Sequence, residues 1–461
     1  MHAFPDSEGD LPLSKFESML KTNDIYFFDS TEFEEIILHY MNVGKMSLAK
    51  KALELGLKQH PESTTLKLVE VEVLLYNDKL KEAESLLAEL EELEPLNDQV
   101  FLNKAALFSK RKQHKEAISA LKIALLYTND EVDVRSLIGM EYLYLEDYHT
   151  ARLNFAKCLE IEFEDYSSLY NVIYCFDMTG EHQEAIAFLS AYIDKNPYSE
   201  IAWHQLGRQY FVTKDYVEAL KAFDYAIVID EYFIGAYLEK AKTLEELGNY
   251  KSAISNYLKT LELDEGTSFS YLRIGVCYEK LGNTKEALKY YNQTLKEDPL
   301  LDKGWLAITE LYVKKADNQK ALYFINKALQ INDGNVAFWI KYAQININLN
   351  LFEEGVRGFR KCLELEEYTL DVFVALIDVL HFLGDYDDAI EVALHAKEFY
   401  DDFAEIEYRI SGLYFLIKKP TEGFELFQKA LAIDFDYHTV AKVLYPSIFK
   451  LEKIKDLLKS D

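Results

Sequence analysis

The sequence predicts an all-α fold, an α-solenoid of about twelve 34-residue helix-turn-helix units, and three observations carry the prediction. A small residue recurs every 34 positions, at Ala49, Ala83, Ala117, Ala151, Ala185, Ala219, Ala253, Ala287, Ala321, Gly355, Ala389 and Gly423, with no insertion between the first and the last. A fixed period of this length marks a stack of like supersecondary units. With Ala219 counted as position 20, position 24 is large in eleven of the twelve units, as at Leu53, Phe155, Phe223, Tyr257 and Phe427. Position 27 is the reverse, as at Gly56, Ala124, Cys158, Ala226 and Ala430, with only Leu90 and Tyr192 bulky. Two closely approaching helices require such an alternation of large and small. Punctuation agrees: Gly44, Gly180, Gly248, Gly282 and Gly384 share position 15, where the first helix of a unit ends and a positive φ is useful. Pro61, Pro95, Pro197 and Pro299 share position 32, beyond the second helix.

Taken in order, residues 1–29 read as an N-terminal extension and cap, 30–435 as twelve tandem repeats and 436–461 as C-terminal capping helices. Residues 1–12 hold Pro5, Gly9, Pro12 and three acidic groups, the composition of a frayed terminus. Ser14 with Glu17 has the spacing of a capping box, and the apolar run from Ile25 to Phe28 needs covering. Thr31 with Glu34 is expected to open the first repeat helix, in which Phe33, Ile36, Ile37 and Tyr40 recur at helical spacing. In the sixth unit helix A carries Trp203, Leu206, Gly207 and Tyr210, and helix B carries Ala219, Phe223 and Ala226. Past Phe435, Tyr437 to Tyr445 begin like a further helix A, and Pro446 interrupts it. Ile448, Leu451, Ile454, Leu457 and Leu458 then read as the apolar stripe of a capping helix, with Lys450, Lys453, Lys455 and Lys459 as its polar face.

Composition removes several function classes. A formal net charge of -29 repels phosphate backbones and anionic membranes, so nucleic acid and lipid are not expected partners. No stretch approaches the eighteen apolar residues of a membrane span, and the first ten residues lack the basic flank and apolar run of a secretory signal. Cys158, Cys175, Cys277 and Cys362 fall at positions 27, 10, 10 and 27, which are packing slots with no metal spacing. Buried thiols in a reducing, cytoplasmic setting are therefore expected. The ten histidines form no zinc motif, and no phosphate loop or nucleophile elbow occurs. The two ends outside the repeats, 29 and 26 residues, are shorter than the roughly 50 residues a domain needs, so no catalytic site and no cofactor or metal is expected.

The units resemble tetratricopeptide repeats, whose Trp, Leu-Gly, Tyr, Ala, Phe pattern is met by Trp203, Leu206, Gly207, Tyr210, Ala219 and Phe223. The length of the array makes the chain similar to long bacterial tetratricopeptide scaffolds. Departures are local: Glu70 and Lys104 at position 7, Gly355 and Gly423 at position 20, and Ala393 at position 24. The resemblance implies a right-handed superhelix in which helix A lines a concave groove that holds a protein or extended peptide. Some relatives grip a partner's terminal carboxylate through a Lys at position 5. No unit of this chain has one there.

Positions 2, 5, 9 and 12 of helix A are expected to face that groove. In the fifth and sixth units they include Tyr170, Tyr174, Asp177, His204, Arg208 and Phe211, and aromatic side chains beside one Arg suit partner recognition. The competing account is that these side chains pack against the neighbouring repeat. Lys242, Lys280, Lys303 and Lys314 read either as a basic strip or as a solvated face of mixed charge among Glu245, Glu279 and Glu310. The expected role is a non-enzymatic interaction scaffold. Two alternatives stay open: an array self-associating through the C-terminal helix, and a regulatory subunit of an enzyme or secretion assembly.

Overall fold

The computed structural model of the protein describes residues 10–22, 26–263 and 267–458. The expectations for residues 1–9, Ile25 and Lys459 lie outside the described residues. The chain forms two compact units, residues 1–229 and 230–461. The first holds the helix Asp10–Thr22 followed by helix pairs running from Ser30–Asn42 with Met46–Gln59 to Glu200–Val212 with Tyr216–Ile229. The second runs from Ile234–Glu246 with Tyr250–Leu263 to Ala404–Leu416 with Pro420–Ile433, and closes with His438–Leu444, a 3₁₀ turn Ile448–Lys450 and Glu452–Leu457. No strand occurs among the described residues. Helix A opens at position 1 in every pair except the fourth, where Glu131 comes one residue early, and helix B opens at position 17 throughout. Within each unit, helix A packs on its own helix B, and helix B on the next helix A.

The turn between the two helices is the same in every repeat. The residue at position 15 has φ between 57° and 86° in all twelve, and it is glycine in only five. Asp78, Lys112, Glu146, Lys214, Ala316, Asn350 and Lys418 adopt the left-handed conformation despite their side chains. What fixes it is a hydrogen bond from the position 16 N–H to the position 11 carbonyl, as in Asp215 to Tyr210 at 2.8 Å and Asp317 to Tyr312 at 3.0 Å. This six-to-one bond satisfies a carbonyl that the helix end would leave unpaired. A residue with a Cβ loses about 1–2 kcal/mol in this conformation, partly offset by the greater unfolded-state freedom of glycine. Ala316→Gly is therefore expected to raise the local stability of its turn by roughly 0.5–1 kcal/mol. Native-state hydrogen exchange across 311–321 reads this directly, and unchanged or faster exchange would refute it.

Between the two helices, positions 8 and 24 share one volume. Where position 24 is a large ring, position 8 is often glycine: a Cβ on Gly139, Gly207 or Gly275 would lie within 2.6 Å of the rings of Phe155, Phe223 or Tyr291. Where position 8 is Ile37 or Ile173, position 24 is the smaller Leu53 or Leu189, and opposite Ile377 it falls to Ala393. Ala393, a departure from the pattern by sequence, is a volume match, fully buried like Ile377. Lys104, the departure at position 7, pairs with Glu91 at 2.7 Å. Gly355 lets Ile347 come within 2.7 Å of where its Cβ would stand, so a small residue is needed there. Each of the three tryptophans, at position 4, donates its indole N–H to the carbonyl at position 32 of the preceding repeat: Trp203 to Pro197 at 2.9 Å, Trp305 to Pro299 at 2.8 Å and Trp339 to Asp333 at 2.7 Å. That bond ties consecutive repeats where the backbone has just left helix B.

All four cysteines are buried and free. Burial pushes the Cys175 thiol up to about 11 and those of Cys277 and Cys362 up to about 12, which keeps them protonated and unreactive.

The ends differ from expectation. The first helix starts at Asp10, ahead of Ser14, so that pair is not at its N-terminus. The capping box of the first repeat is Asp29 with Glu32, not Thr31 with Glu34: the Asp29 carboxylate accepts from the Glu32 N–H at 2.9 Å, and the Glu32 carboxylate accepts from the Asp29 N–H at 3.0 Å. Thr31 instead donates its hydroxyl to Asp29 at 2.7 Å. Phe16 caps the first pair by packing on Phe28, Phe33 and Tyr40. At the other end the apolar stripe does not lie on one helix. The chain breaks at Leu451, which is 44% exposed, while Ile448 and Ile454 on either side of it are buried. Tyr445 closes the stack by lying over Gly412, where a Cβ would meet its ring at 2.5 Å.

Candidate functional site

The six side chains singled out on helix A of repeats five (Tyr166–Thr179) and six (Glu200–Val212) separate into two groups. Tyr170 and Tyr174 are 43% and 47% exposed, and Arg208 is exposed with no carboxylate partner among the described residues. Arg208 donates to the Gln205 side chain at 3.1 Å. Tyr174 meets the ring of Tyr148 edge-on at 6.4 Å. The other three serve packing. Asp177 accepts from Gln209 at 2.8 Å and lies 3.7 Å from His182. His204, half-buried, lies 5.9 Å from the Phe223 ring, and Phe211 lies 5.6 Å from Tyr216. Position 5 points inward more than its periodicity suggests: Leu68, Leu272 and Tyr408 occupy it and are buried.

The charged residues of repeats seven to nine are mostly spent on one another. Lys242 pairs with Glu239 at 2.8 Å and Lys314 with Glu279 at 2.5 Å. Glu245 is 8% exposed and takes the Tyr257 hydroxyl at 2.6 Å and Arg273 Nε at 3.0 Å. The Tyr291 hydroxyl donates likewise to Glu279 at 2.7 Å. A Tyr at position 24 thus satisfies a Glu at position 12 in both repeats; the mixed-charge account fits Lys242 and Lys314, while Lys280 and Lys303 have no ion pair among the described residues.

Sequence reading passed over one feature of the first unit. Between helix A of repeat three (Asp98–Lys110) and helix A of repeat four (Glu131–Tyr144) lies a cavity of about 630 Å³, lined by Leu102, Ala106, Leu137, Met140 and Tyr144. It exists because repeat three has Ala106 at position 9 and Ser109 at position 12, where the next repeat has Met140 and Leu143 and the one after has Tyr174 and Asp177. Two small residues one helical turn apart were the available signal. In its wall the Glu141 carboxylate, on a residue 7% exposed, meets His114 Nδ1 at 2.7 Å, and the His114 ring stacks on Tyr144 at 5.1 Å. Gln209 with His182, at 3.0 Å, repeats this position 10 to position 17 link two repeats later.

Two family models, both described as tetratricopeptide repeat, match residues 137–200 and 232–296. These two stretches of the chain are tetratricopeptide repeats. Among curated proteins it is similar to anaphase-promoting complex subunit 3 of Schizosaccharomyces pombe, 24% identical over 163 residues. That match covers 35% of this chain and 24% of the relative, so it spans about a quarter of the relative's length. Solved structures that it resembles include the APC/C hetero-tetramer Cut9-Hcn1 (15% identity, 98% of this chain and 94% of the other, TM-score 0.35) and yeast Tom70 (14%, 94% and 99%, 0.39). A third is YrrB, a tetratricopeptide protein with an unusual peptide-binding site (15%, 42% and 97%, 0.33). Tetratricopeptide proteins as a group act through protein or peptide partners, and catalysis is not their usual role. No helix among the described residues is long and apolar enough to cross a membrane.

Proposed function

We propose that the protein is a non-enzymatic scaffold that holds a protein or extended peptide against the helix A face of its first unit. The observation that carries this reading is Arg208. In a chain of net charge -29 it stands exposed without a carboxylate partner among the described residues, on a helix that contacts the one bearing exposed Tyr170 and Tyr174. Tyr and Arg supply contact area and hydrogen bonds at low entropic cost, and such residues dominate binding energy when a partner covers them. Asp177, His204 and Phe211 belong to this surface as its supports, since each is engaged by a neighbouring side chain.

The test is affinity capture from native lysate followed by mass spectrometry, comparing the intact protein with Tyr174→Ala, Arg208→Ala at unchanged circular dichroism. A partner retained by the intact protein and lost by the variant supports this face as the site. Equal retention would move the site elsewhere, and no partner in either arm would remove the scaffold reading. Self-association is the second reading, favoured by Val440, Val443 and Leu451, which are 41%, 80% and 44% exposed in the closing segment. Light scattering across concentrations separates the two, because a constant monomer mass eliminates the array.

A further inference from the structure

We infer that the cavity between repeats three and four is an anchor site for an acidic peptide segment, one that inserts a single large apolar side chain and lays its carboxylates on the turn of repeat three. The inference rests on the scaffold reading and names the chemistry of the partner. The cavity supplies the first half. Its volume of about 630 Å³ takes one aromatic or leucine side chain with room for the flanking backbone. Leu137 and Tyr144 are 46% and 59% exposed at its edge, so apolar surface stays in water until something covers it.

Charge supplies the second half. Residues 98–131 hold six Lys and Arg against four Asp and Glu. The 34 residues before them hold three against nine, and the 34 after them three against eight. The excess is concentrated in Lys110, Arg111, Lys112 and Lys115 around the turn, and Lys110 and Lys112 border the cavity itself. Arg111 is committed to Glu84 at 2.7 Å, but Lys110 reaches Asp78 only at 3.7 Å, and Lys112 and Lys115 have no acidic partner among the described residues. The position 15 turn holds Lys112 at φ 59°, outside the helix that bears the cavity's small residues. The one carboxylate of the lining, Glu141, is buried and engaged by His114 at 2.7 Å. In a protein this acidic, a local field of opposite sign beside an unfilled apolar depression selects for carboxylates next to an apolar anchor.

The experiment uses three capped, fluorescein-labelled dodecapeptides read by fluorescence anisotropy: one with a central Phe among four Glu, the same with Ala for Phe, and the same with Lys for Glu. The acidic Phe peptide is expected to bind the full chain at least about tenfold more tightly than either of the others, with affinity falling as salt is added. Ala106→Trp, which fills the cavity from an exposed position, is expected to lower that affinity by about tenfold or more. The double variant Lys110→Glu, Lys112→Glu should do the same with an unchanged melting curve, since Glu146 occupies the same left-handed position in the next repeat. This surface variant decides the matter if the tryptophan disturbs folding. Equal binding of the acidic and lysine peptides, retention of affinity by the double variant, or binding of none of the three overturns the inference. The scaffold reading fails by a different result, the absence of any partner in the lysate capture, so the two are separable.

Discussion

Gly207→Ile is expected to destabilise the sixth repeat by about 1–3 kcal/mol or more, and Phe223→Leu in the same chain is expected to restore most of the loss. Propensity alone predicts the opposite sign for the first change, because glycine inside a helix is worse than a residue with a Cβ by roughly 0.5–1 kcal/mol. Packing overrides it. A Cβ at Gly207 would stand 2.5 Å from the Phe223 ring, which is fully buried, and close-packed interiors leave few voids to take up such an overlap. The rescue follows from repeats one and five, where Ile37 faces Leu53 and Ile173 faces Leu189 in the same two slots. A double-mutant cycle by thermal unfolding measures the coupling. If the two changes add without interaction, the shared-volume account of positions 8 and 24 is wrong.

The second large effect lies at the C-terminal end. Arg409 is 3% exposed, and its guanidinium donates to both oxygens of Asp378 at 2.8 Å, to the Glu405 carbonyl at 2.9 Å and to the Tyr437 hydroxyl at 2.9 Å. Asp378→Ala leaves a buried cation without its counter-ion, and the expected cost is about 3–5 kcal/mol. Arg409→Met removes the cation instead. It leaves Asp378, whose side chain is 31% exposed, within reach of water, so the loss is expected to be clearly smaller. Hydrogen exchange in Ala404–Leu416, together with the melting curve, separates the two variants. Equal losses would mean that the pair is held by packing and that the charge is incidental.

The fold was legible because each defining choice recurs twelve times. Position 20 is small, position 24 is large, and the position 15 glycines sit in the left-handed turns that their spacing predicts. Seven further left-handed turns have no signature in the sequence, since Lys214 or Glu146 carries no mark of positive φ; the hydrogen bond from position 16 imposes it. The cap lies two residues before the sequence-based position because Asp29 and Thr31 are both good N-terminal residues, and only the backbone decides which side-chain oxygen faces the free N–H groups. The candidate surface was less readable. Whether Asp177 greets a partner or Gln209 depends on a residue 32 positions away, and no single helix period carries that information. The cavity at Ala106 was visible in principle, as two small residues among large ones at positions 9 and 12.

The identical turn has an evolutionary consequence. At the five glycines of position 15 an added Cβ would meet nothing within 4 Å, so this point of the repeat makes no demand on its neighbours beyond backbone shape. A genetic crossover placed there would join helix A of one repeat to helix B of another without touching the residues on either side of the joint. What such a crossover would have to respect is the pairing of positions 8 and 24, which lie on opposite sides of it. Recombinants that unite Gly207 with a leucine partner would inherit a hole, and those that unite Ile173 with a phenylalanine would inherit a clash. Duplication of a whole repeat keeps positions 8 and 24 together as a matched pair, while exchange of half-repeats is confined to donors of matching volume.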